Sequence, residues 1–449
     1  MKKTIAVIFG GKSAEHDVSI ITAHIPVIKS LLAAGNFEVV PVYIAKDGSW
    51  YSDPSLIDLE FFKRTDFEEQ LAKLKKLRSK LKKLRLLFDK GLKLIKPGAA
   101  FSKEKIIGVD VVFPAMHGTF GEDGSLMGLL RMAGVPFVGC DMAASAVAMD
   151  KVLTKQVLEA EKIPVVPYVW FTKEEWLKNS AALREKIARL RFPLFVKPVH
   201  LGSSIGITKA KTAAELENAI EVALHYDDKA LVEEGVANLI EVTLPIMGNG
   251  SALMLANIER PLNKAEFFDF YDKYINGGGN KQDGAAAGSA PVSGSSAASA
   301  PASSAASGVN TGYSELPAKI PEELAAEVRE LGAKTYKTLG CAGIARVDFL
   351  IDSGSAAGAS GEAPGKVSGD VLGNSHGNPA NSRFKIYVNE VNTLPGSLYH
   401  HNWRSAGVSG VELVTKLVAL AEERFAAQKN ITFTFKSEIL SKISGPKVG

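Results

Sequence analysis

The chain has 449 residues, more than a single hydrophobic core can organise, so two or three packed domains are expected. Two cysteines, Cys140 and Cys341, can form at most one bridge, which argues against a disulfide-built secreted scaffold and fits a reducing, cytoplasmic setting. The formal charge is +4, but Lys73 to Lys96 carries eleven basic residues against the single acid Asp89, so the remainder is acidic and a global affinity for nucleic acid is not expected.

The first part of the chain alternates apolar, strand-like runs with helix-like segments. The runs are Ile5 to Phe9, Phe37 to Ile44 and Val109 to Phe113. This alternation favours a parallel sheet with helical crossovers, the α/β class. The N-terminal run lacks the cleavage site of a signal peptide, and no stretch approaches the roughly 20 apolar residues that span a bilayer, so no membrane segment is expected.

Later segments indicate a second, smaller sheet and two more strands. Helical signals continue from Ala143 to Ala160, and apolar runs at Phe192 to Val196 and Ala230 to Glu233 supply the second sheet. The late strands are GIARVDFLI and FKIYVNEVN.

Three stretches have the composition of insertions. Asp66 to Lys96 places Leu74, Leu77, Leu81, Leu84 and Phe88 at alternating spacings of three and four, which predicts a basic helix with one apolar stripe. Gly277 to Gly308 is almost wholly Gly, Ala, Ser and Pro. It has too little apolar side-chain surface to offset the entropy lost on ordering. Ser353 to Ser382 is similar and joins the two late strands, so we expect a long hairpin loop there.

The strongest chemical signal is a pair of polar residues, two apart, on each late strand: Arg346 with Asp348, and Glu390 with Asn392. Residues two apart share one face of a strand, so neighbouring strands would bring two carboxylates, one amide oxygen and a guanidinium together. Hard oxygen ligands of this kind suit Mg²⁺. A surface hairpin with alternating polar residues is the competing interpretation, but unpaired charge inside an apolar strand is costly.

A second signal is Lys197 at the end of an apolar run, followed by HLGSSIG. Glycines let backbone N–H groups approach phosphate oxygens, although an ordinary turn between strands would use the same residues. The loop HGTFGEDGS, from His117 to Ser125, follows an apolar strand, where open α/β sheets place ligands. Lys151 and Lys155 share one helix face, and a solvated face is the alternative for both.

Taken in order, eight segments resemble the D-alanine:D-alanine ligases of the ATP-grasp superfamily. They are GGKSAEHDVS, HGTFGEDGSLMGLL, GVPFVGCD, MDK, VKP followed by GSSIG, FDFYDKY, GIARVDF and VNEVNTLPGS. The resemblance implies an ATP-grasp fold, α+β in its ATP-binding part, with a Rossmann-like parallel-sheet domain at 1–139 and ATP-grasp subdomains at 140–234 and 235–449. It also implies ATP-dependent ligation of two D-alanine molecules through an acyl phosphate, for peptidoglycan synthesis.

Carried over residue by residue, the resemblance implies three adjoining sites. The ATP-binding residues would be Lys151, Lys197, Ser204, the hinge from Glu233 to Val236, Glu241 and Lys273. Two Mg²⁺ ions, with Mn²⁺ as a substitute, would be held by Asp348, Glu390 and Asn392, beside Arg346 as the transition-state donor. Glu15, Ser203 and Tyr274 would form a hydrogen-bonded catalytic set, and His117, Gly396 and His401 would join Glu15 in contacting the substrates.

The acceptor end departs from the family pattern. After NTLPG the chain reads SLYHHNW, and Leu398 cannot donate the hydrogen bond that the usual Thr and Ser supply. Either His400 or His401 replaces the lost donor, or the second substrate is another molecule such as D-lactate or D-serine. A third hypothesis, from a different class, is a binding module whose Lys-rich helix contacts anionic partners. The resemblance itself implies no nucleic-acid or membrane partner and is compatible with a homodimer.

Overall fold

The fold is given by a computed structural model that describes residues 2–63, 83–88, 91–96, 98, 103–262, 314–354, 384–437 and 439. Lys273, Tyr274, the tract 277–308 and nearly all of 353–382 lie outside the described residues. Within them, three four-stranded sheets dominate, each with helices packed against it. Cys140 and Cys341 are both buried free thiols.

The first sheet confirms the predicted parallel arrangement. Its strands are β1 (Lys3–Gly10), β2 (Phe37–Ile44), β3 (Trp50–Tyr51) and β7 (Val111–Pro114), in the order β3-β2-β1-β7. β1 pairs in parallel with β2 and β7, and β3 adds an antiparallel edge. Loops that carry polar residues therefore leave the carboxyl ends of β1 and β7 side by side.

The helix that follows β1 is long and apolar. It runs from His16 to Ala34 as α1 (His16–Thr22), a π-helical turn (Ala23–Ile28) and α2 (Lys29–Ala34). Contrary to the expectation from sequence, this segment of the described chain is long and apolar enough to cross a membrane. Its side chains at Val27 and Leu31 are fully buried against the first sheet, so the apolar composition is accounted for by a core helix.

Strands replace the predicted helix in the described part of the basic insertion. β4 (Arg85–Phe88), β5 (Leu92–Lys96) and β6 (Lys105–Gly108) pair antiparallel in that order. Leu92 and Leu94, two apart, are buried against the second face of the first sheet, together with Leu84. The helix prediction is therefore wrong for these strands, because burial on a sheet outweighed the local leucine spacing. Residues 64–82 lie outside the described chain.

The central part forms the predicted second sheet. Helices α3 (Glu60–Lys63), α4 (Ser125–Ala133), α5 (Met142–Met149) and α6 (Lys151–Ala160) precede it. The strands β8 (Tyr168–Thr172), β9 (Leu194–Pro198), β10 (Thr208–Ala210) and β11 (Lys229–Glu234) are antiparallel, in the order β10-β9-β11-β8. Helices α7 (Lys173–Ile187) and α8 (Ala213–Tyr226) bury their apolar sides on it.

The third sheet carries the two late strands as neighbours. β12 (Leu239–Asn249), β13 (Ala252–Leu255), β16 (Gly343–Asp352) and β17 (Lys385–Asn392) are antiparallel, in the order β13-β12-β16-β17. β14 (Arg260–Pro261) pairs with β15 (Ser314–Glu315), and α9 (Glu322–Thr338) packs on the sheet. After α10 (His400–Ser405), α11 (Gly410–Gln428) returns to the core of the first sheet.

Candidate active site

Four polar residues meet on one face of β16 and β17, as their spacing predicts. Asp348 lies opposite Glu390, and Arg346 lies opposite Asn392. Arg346 binds Asp348 through two hydrogen bonds of 2.6 Å, from Nε to Oδ1 and from Nη2 to Oδ2, and Asn392 Nδ2 donates to Asp348 Oδ2 at 3.1 Å. Burial opposes charge on Arg346, but Asp348 outweighs it and raises the pKa of the guanidinium.

The donor set of this face fits a divalent cation. Like charges directly opposite each other on paired strands repel, and Arg346 supplies positive charge to Asp348, which is only 4% exposed. The carboxylates of Asp348 and Glu390 and the amide oxygen of Asn392 are ligands that Mg²⁺ prefers. The Asn392 amide presents its nitrogen to Asp348, so it would turn over to offer oxygen to a metal.

A bulge in β17 adds a residue that the sequence interpretation missed. Asp348 pairs with Glu390, whereas Phe349 pairs with Val388, so Asn389 is the extra residue. It shares the polar face with Glu390, and its Oδ1 accepts a hydrogen bond of 3.3 Å from Lys197 Nζ. The sequence carried a signal for this bulge, because the aliphatic residues Ile386, Val388 and Val391 end with a step of three, which a regular strand does not make.

The two lysines predicted to contact ATP phosphates, Lys151 and Lys197, lie in α6 and β9. Lys151 begins α6, and its Nζ donates to the carbonyl oxygen of Leu201 at 2.6 Å. Burial lowers the pKa of Lys151, and the charge of Glu390 acts in the opposite direction. Ser203 and Ser204 have φ of 52° and 59°, so the loop turns through the left-handed region at two consecutive serines. We call residues 201–206 the phosphate-side loop.

A buried charge cluster lies beneath this loop. Glu233 and Lys155 are 2% and 1% exposed, and Lys155 Nζ lies 3.0 Å from Glu233 Oε2. Lys197 Nζ contacts the other oxygen of the same carboxylate. Burial alone would raise the pKa of Glu233, but the two lysines hold it at about 2. Lys155 is thus a partner of a predicted hinge residue, which excludes the solvated face considered for it.

The residues predicted to contact the first substrate join the first sheet to the phosphate-side loop. Glu15, just before α1, accepts a short hydrogen bond from Ser203 Oγ, so two of the three predicted catalytic residues are in contact. A Cβ at Gly202 would lie 3.1 Å from Glu15 Oε2, so the loop approaches this carboxylate closely at a residue without a side chain. Tyr274, the third predicted member, lies outside the described residues.

His117 stands behind Glu15 in a buried position. Its exposure is 2%, its Nε2 lies 2.8 Å from Thr22 Oγ1, and its Nδ1 lies 3.6 Å from Glu122 Oε1. Burial works against charge on His117, yet Glu122 and Glu15 outweigh it and raise the pKa of the imidazole. The ring is therefore held next to Glu15 by a hydroxyl and a carboxylate that the sequence did not single out.

The segment predicted to contact the second substrate forms a left-handed turn after β17. Gly396 begins a 3₁₀ helix, and Ser397, Leu398 and Tyr399 have φ of 51°, 52° and 52°. Such conformations are costly for side chains with a Cβ and are retained where the surroundings enforce them. Leu398 is fully buried, and the Tyr399 ring lies 4.8 Å from the Arg346 guanidinium carbon.

His401 faces a carboxylate. Its Nε2 lies 2.9 Å from Glu259 Oε2 and 3.1 Å from Oε1, while His400 Nδ1 lies 3.1 Å from the carbonyl oxygen of Ser397. Burial lowers the pKa of His400. The His401 side chain is 36% exposed, and both histidines are half-buried. Glu259 is a further residue that the sequence interpretation missed.

The remaining predicted ATP-binding residues lie along the second and third sheets. Val236 is half-buried in the turn between β11 and β12, directly after the Glu233 strand. Glu241 lies in β12 opposite Leu350 of β16. Lys273 lies outside the described residues.

Comparisons with known proteins agree with this architecture. Two family models match, D-ala D-ala ligase N-terminus over residues 4–140 and D-ala D-ala ligase C-terminus over 157–292 and 304–357. The D-alanine–D-alanine ligase of Acetivibrio thermocellus is 33% identical over 433 residues, covering 94% of this chain and 97% of the relative.

Two solved structures share the fold with equal closeness. The D-alanine-D-alanine ligase of Coxiella burnetii has a TM-score of 0.66 at 26% identity, over 95% of this chain and 96% of its own. The VanG D-Ala:D-Ser ligase of Enterococcus faecalis also has a TM-score of 0.66, at 28% identity, over 94% of this chain and 100% of its own. The matches cover nearly the whole of this chain and of each relative, and the fold is that of ATP-grasp ligases. This chain therefore belongs to the D-alanine:D-alanine ligase family.

Proposed function

We propose that this chain is an ADP-forming ligase that joins two D-alanine molecules into D-alanyl-D-alanine for peptidoglycan synthesis. The observation that carries the proposal is the contact of Glu15 with Ser203, because it joins a buried carboxylate to the loop that Lys151 also holds. An ammonium group and a phosphate would thus be bound at adjoining positions. Relatives of 30–33% identity, each named as a D-alanine–D-alanine ligase, support the same assignment.

The first step moves the γ-phosphoryl group of ATP to the carboxylate of the first D-alanine. The bond to the β-phosphate oxygen breaks, a bond to a carboxylate oxygen forms, and ADP and an acyl phosphate result. Lys151, Lys197 and the donors of the phosphate-side loop would balance the phosphate charge. Two Mg²⁺ ions held by Asp348, Glu390 and Asn392, for which Mn²⁺ would substitute, supply further charge neutralisation when bound.

The second step forms the amide bond. The neutral amine of the second D-alanine attacks the acyl carbon, and the tetrahedral intermediate then expels phosphate, which carries away the proton that the nitrogen loses. Arg346, oriented by Asp348 and stacked on Tyr399, would donate to the developing oxyanion. Removing one such donor typically costs about 3 to 4 kcal/mol of transition-state stabilisation.

The other assignments complete the proposal. Glu15 and His117 would receive the first D-alanine, and Gly396 and His401 the second. Ser204 would contact phosphate, Glu233, Val236 and Glu241 the adenosine, and Lys273 and Tyr274 would act from outside the described residues. We propose domains at 1–139, 140–234 and 235–449, a homodimer, and a cytoplasmic site of action where ATP is available.

The test uses the purified full chain with ATP, Mg²⁺ and D-alanine. Release of ADP together with the dipeptide, detected by mass spectrometry, is the expected result, and L-alanine serves as the matched control substrate. ADP release no higher than without an amino acid would remove the proposal. An Asp348→Asn variant, which keeps the shape of the side chain, should lose most of the activity.

A second candidate is the same chemistry with D-serine or D-lactate as acceptor. Buried Leu398, which offers no hydrogen bond where one is expected, favours it, as does the equal structural similarity to a D-Ala:D-Ser ligase. Competition between equimolar D-alanine and each alternative, read as the product ratio, separates the two. A clear excess of D-alanyl-D-alanine at neutral pH would rule the second candidate out.

A further inference from the structure

His200 bridges two carboxylates at the start of the phosphate-side loop. Its backbone nitrogen donates to Asp227 Oδ2 at 2.7 Å, and its ring Nδ1 lies 3.0 Å from Asp227 Oδ1. On the other side of the ring, Nε2 lies 3.3 Å from Asp150 Oδ2. A neutral imidazole carries one N–H, so only the imidazolium can donate to both carboxylates.

Asp150 connects this bridge to the ATP-side lysine. Its Oδ1 accepts hydrogen bonds of 2.8 and 2.9 Å from the backbone nitrogens of Val152 and Leu153, and so caps α6. Lys151, the first residue of α6, donates to the carbonyl oxygen of Leu201. The loop is therefore tied to the start of α6 twice, once by Lys151 and once by His200.

The surroundings of His200 favour an ion-pair network over a metal site. His200, Asp227 and Asp228 have the donor types of a metal cluster. Lys229 Nζ, however, lies 2.9 Å from the Asp150 oxygen that faces His200, so a cation already serves this carboxylate. Hydrogen bonds to Asp150 and Asp227 raise the pKa of His200 to about 9, whereas a metal ligand must be neutral.

We propose that protonated His200 is a positioning residue for ATP, which holds the phosphate-side loop and Lys151 together without touching the nucleotide. Loss of its proton breaks one of the two carboxylate bonds and removes one positive charge from beside three carboxylates, Asp150, Asp227 and Asp228. Lys229 remains beside Asp150, and Lys151 remains within electrostatic reach of Asp227. Both changes disfavour binding of an anion at the neighbouring loop. The inference rests on the proposed function, since it concerns the same ATP site.

The experiment measures MgATP binding to the full chain by calorimetry between pH 7 and pH 10, without D-alanine, whose amine also titrates in this range. For the wild type we expect a dissociation constant for MgATP that is independent of pH near neutrality and increases above pH 9. His200→Gln donates through a single nitrogen and carries no charge. Its dissociation constant for MgATP at pH 7 should be about 2- to 30-fold higher than that of the wild type. The increase above pH 9 that comes from deprotonation of His200 should be absent.

Two further variants separate positioning from mere folding. His200→Arg keeps the charge and several donors, so it should bind MgATP at pH 7 nearly as well as the wild type and lose the rise above pH 9. His225→Gln, in the exposed last turn of α8, is the matched control and should change nothing. In turnover, His200→Gln should raise KM for ATP more than KM for D-alanine, which is affected only through the contact of Ser203 in the same loop with Glu15.

Several results would overturn the inference. One is a dissociation constant of His200→Gln equal to that of the wild type at pH 7. Another is an unchanged rise above pH 9 in His200→Arg, which would assign the titration to a different group such as Lys151. If the wild type itself binds no MgATP, the proposed function fails and the inference fails with it, a result distinct from equal binding by wild type and variant.

Discussion

The buried cluster of Lys155, Glu233 and Lys197 allows a stability prediction for Glu233→Gln. The substitution keeps the side-chain shape but leaves two buried ammonium groups without their carboxylate. The pKa of Glu233 is about 2 against an ordinary 4.5, and at about 1.4 kcal/mol per pH unit this gap corresponds to roughly 3 kcal/mol. Removing one partner of a buried ion pair typically costs about 3 to 5 kcal/mol, so the two estimates agree.

The sign of the pH dependence follows from the same groups. In the wild type, the pKa of Glu233 is lower in the folded state, so its contribution is present above about pH 4.5 and is lost as pH falls towards 2. In the variant, burial lowers the pKa of Lys155 without an opposing carboxylate. The unfolded variant then binds more protons than the folded variant. The loss in free energy of unfolding relative to the wild type should therefore shrink between pH 7 and pH 9.

The assay is equilibrium unfolding in urea, followed by tryptophan fluorescence, to which Trp170 in β8 of the second sheet and Trp176 in α7 contribute. Glu217→Gln is the control, because Glu217 pairs with Arg184 at 2.7 Å on an exposed surface and should cost much less. A Glu233→Gln protein as stable as the control, or a deficit that grows from pH 7 to pH 9, would refute the reasoning.

Three further predictions concern the site and the insertion. Asp348→Asn should lower kcat roughly a hundredfold or more and raise the Mg²⁺ concentration for half-maximal ADP release, and an unchanged Mg²⁺ dependence would count against its role. Glu15→Gln and Ser203→Ala should each raise KM for D-alanine, and because the side chains touch, a double-mutant cycle should give a coupling of about 0.5 to 3 kcal/mol, whereas strict additivity would deny the contact. Leu94→Ala should reduce the free energy of unfolding by about 2 to 5 kcal/mol with KM for ATP unchanged, and a negligible loss would contradict its burial under the first sheet.

The polar face of the late strands was predictable because period-two spacing carries over directly into a shared face. Arg346, Asp348, Glu390 and Asn392 meet as expected once β16 and β17 are neighbours. Asn389 was missed because the interpretation assumed an unbroken alternation, whereas the bulge turns two consecutive side chains to the same side.

The basic insertion shows where a local pattern misled. Leucines three and four apart favour a helix in isolation, and they predicted one through Phe88. In the folded chain, Leu84, Leu92 and Leu94 bury apolar surface on the first sheet, which a strand at that position satisfies better. Propensity is a weak preference that tertiary burial readily outweighs.

By itself the sequence determined the α/β opening, the second sheet, the four polar residues of the late strands and, through its ordered segments, the resemblance to ATP-grasp ligases. These features depend on spacing within one segment or on order along the chain. Only the tertiary structure decided which distant groups meet: Glu15 with Ser203, Glu233 with Lys155 and Lys197, His401 with Glu259, and His200 with Asp150 and Asp227. Partners so far apart in the chain are joined by packing and by the desolvation of charge, and neither leaves a local pattern in the sequence.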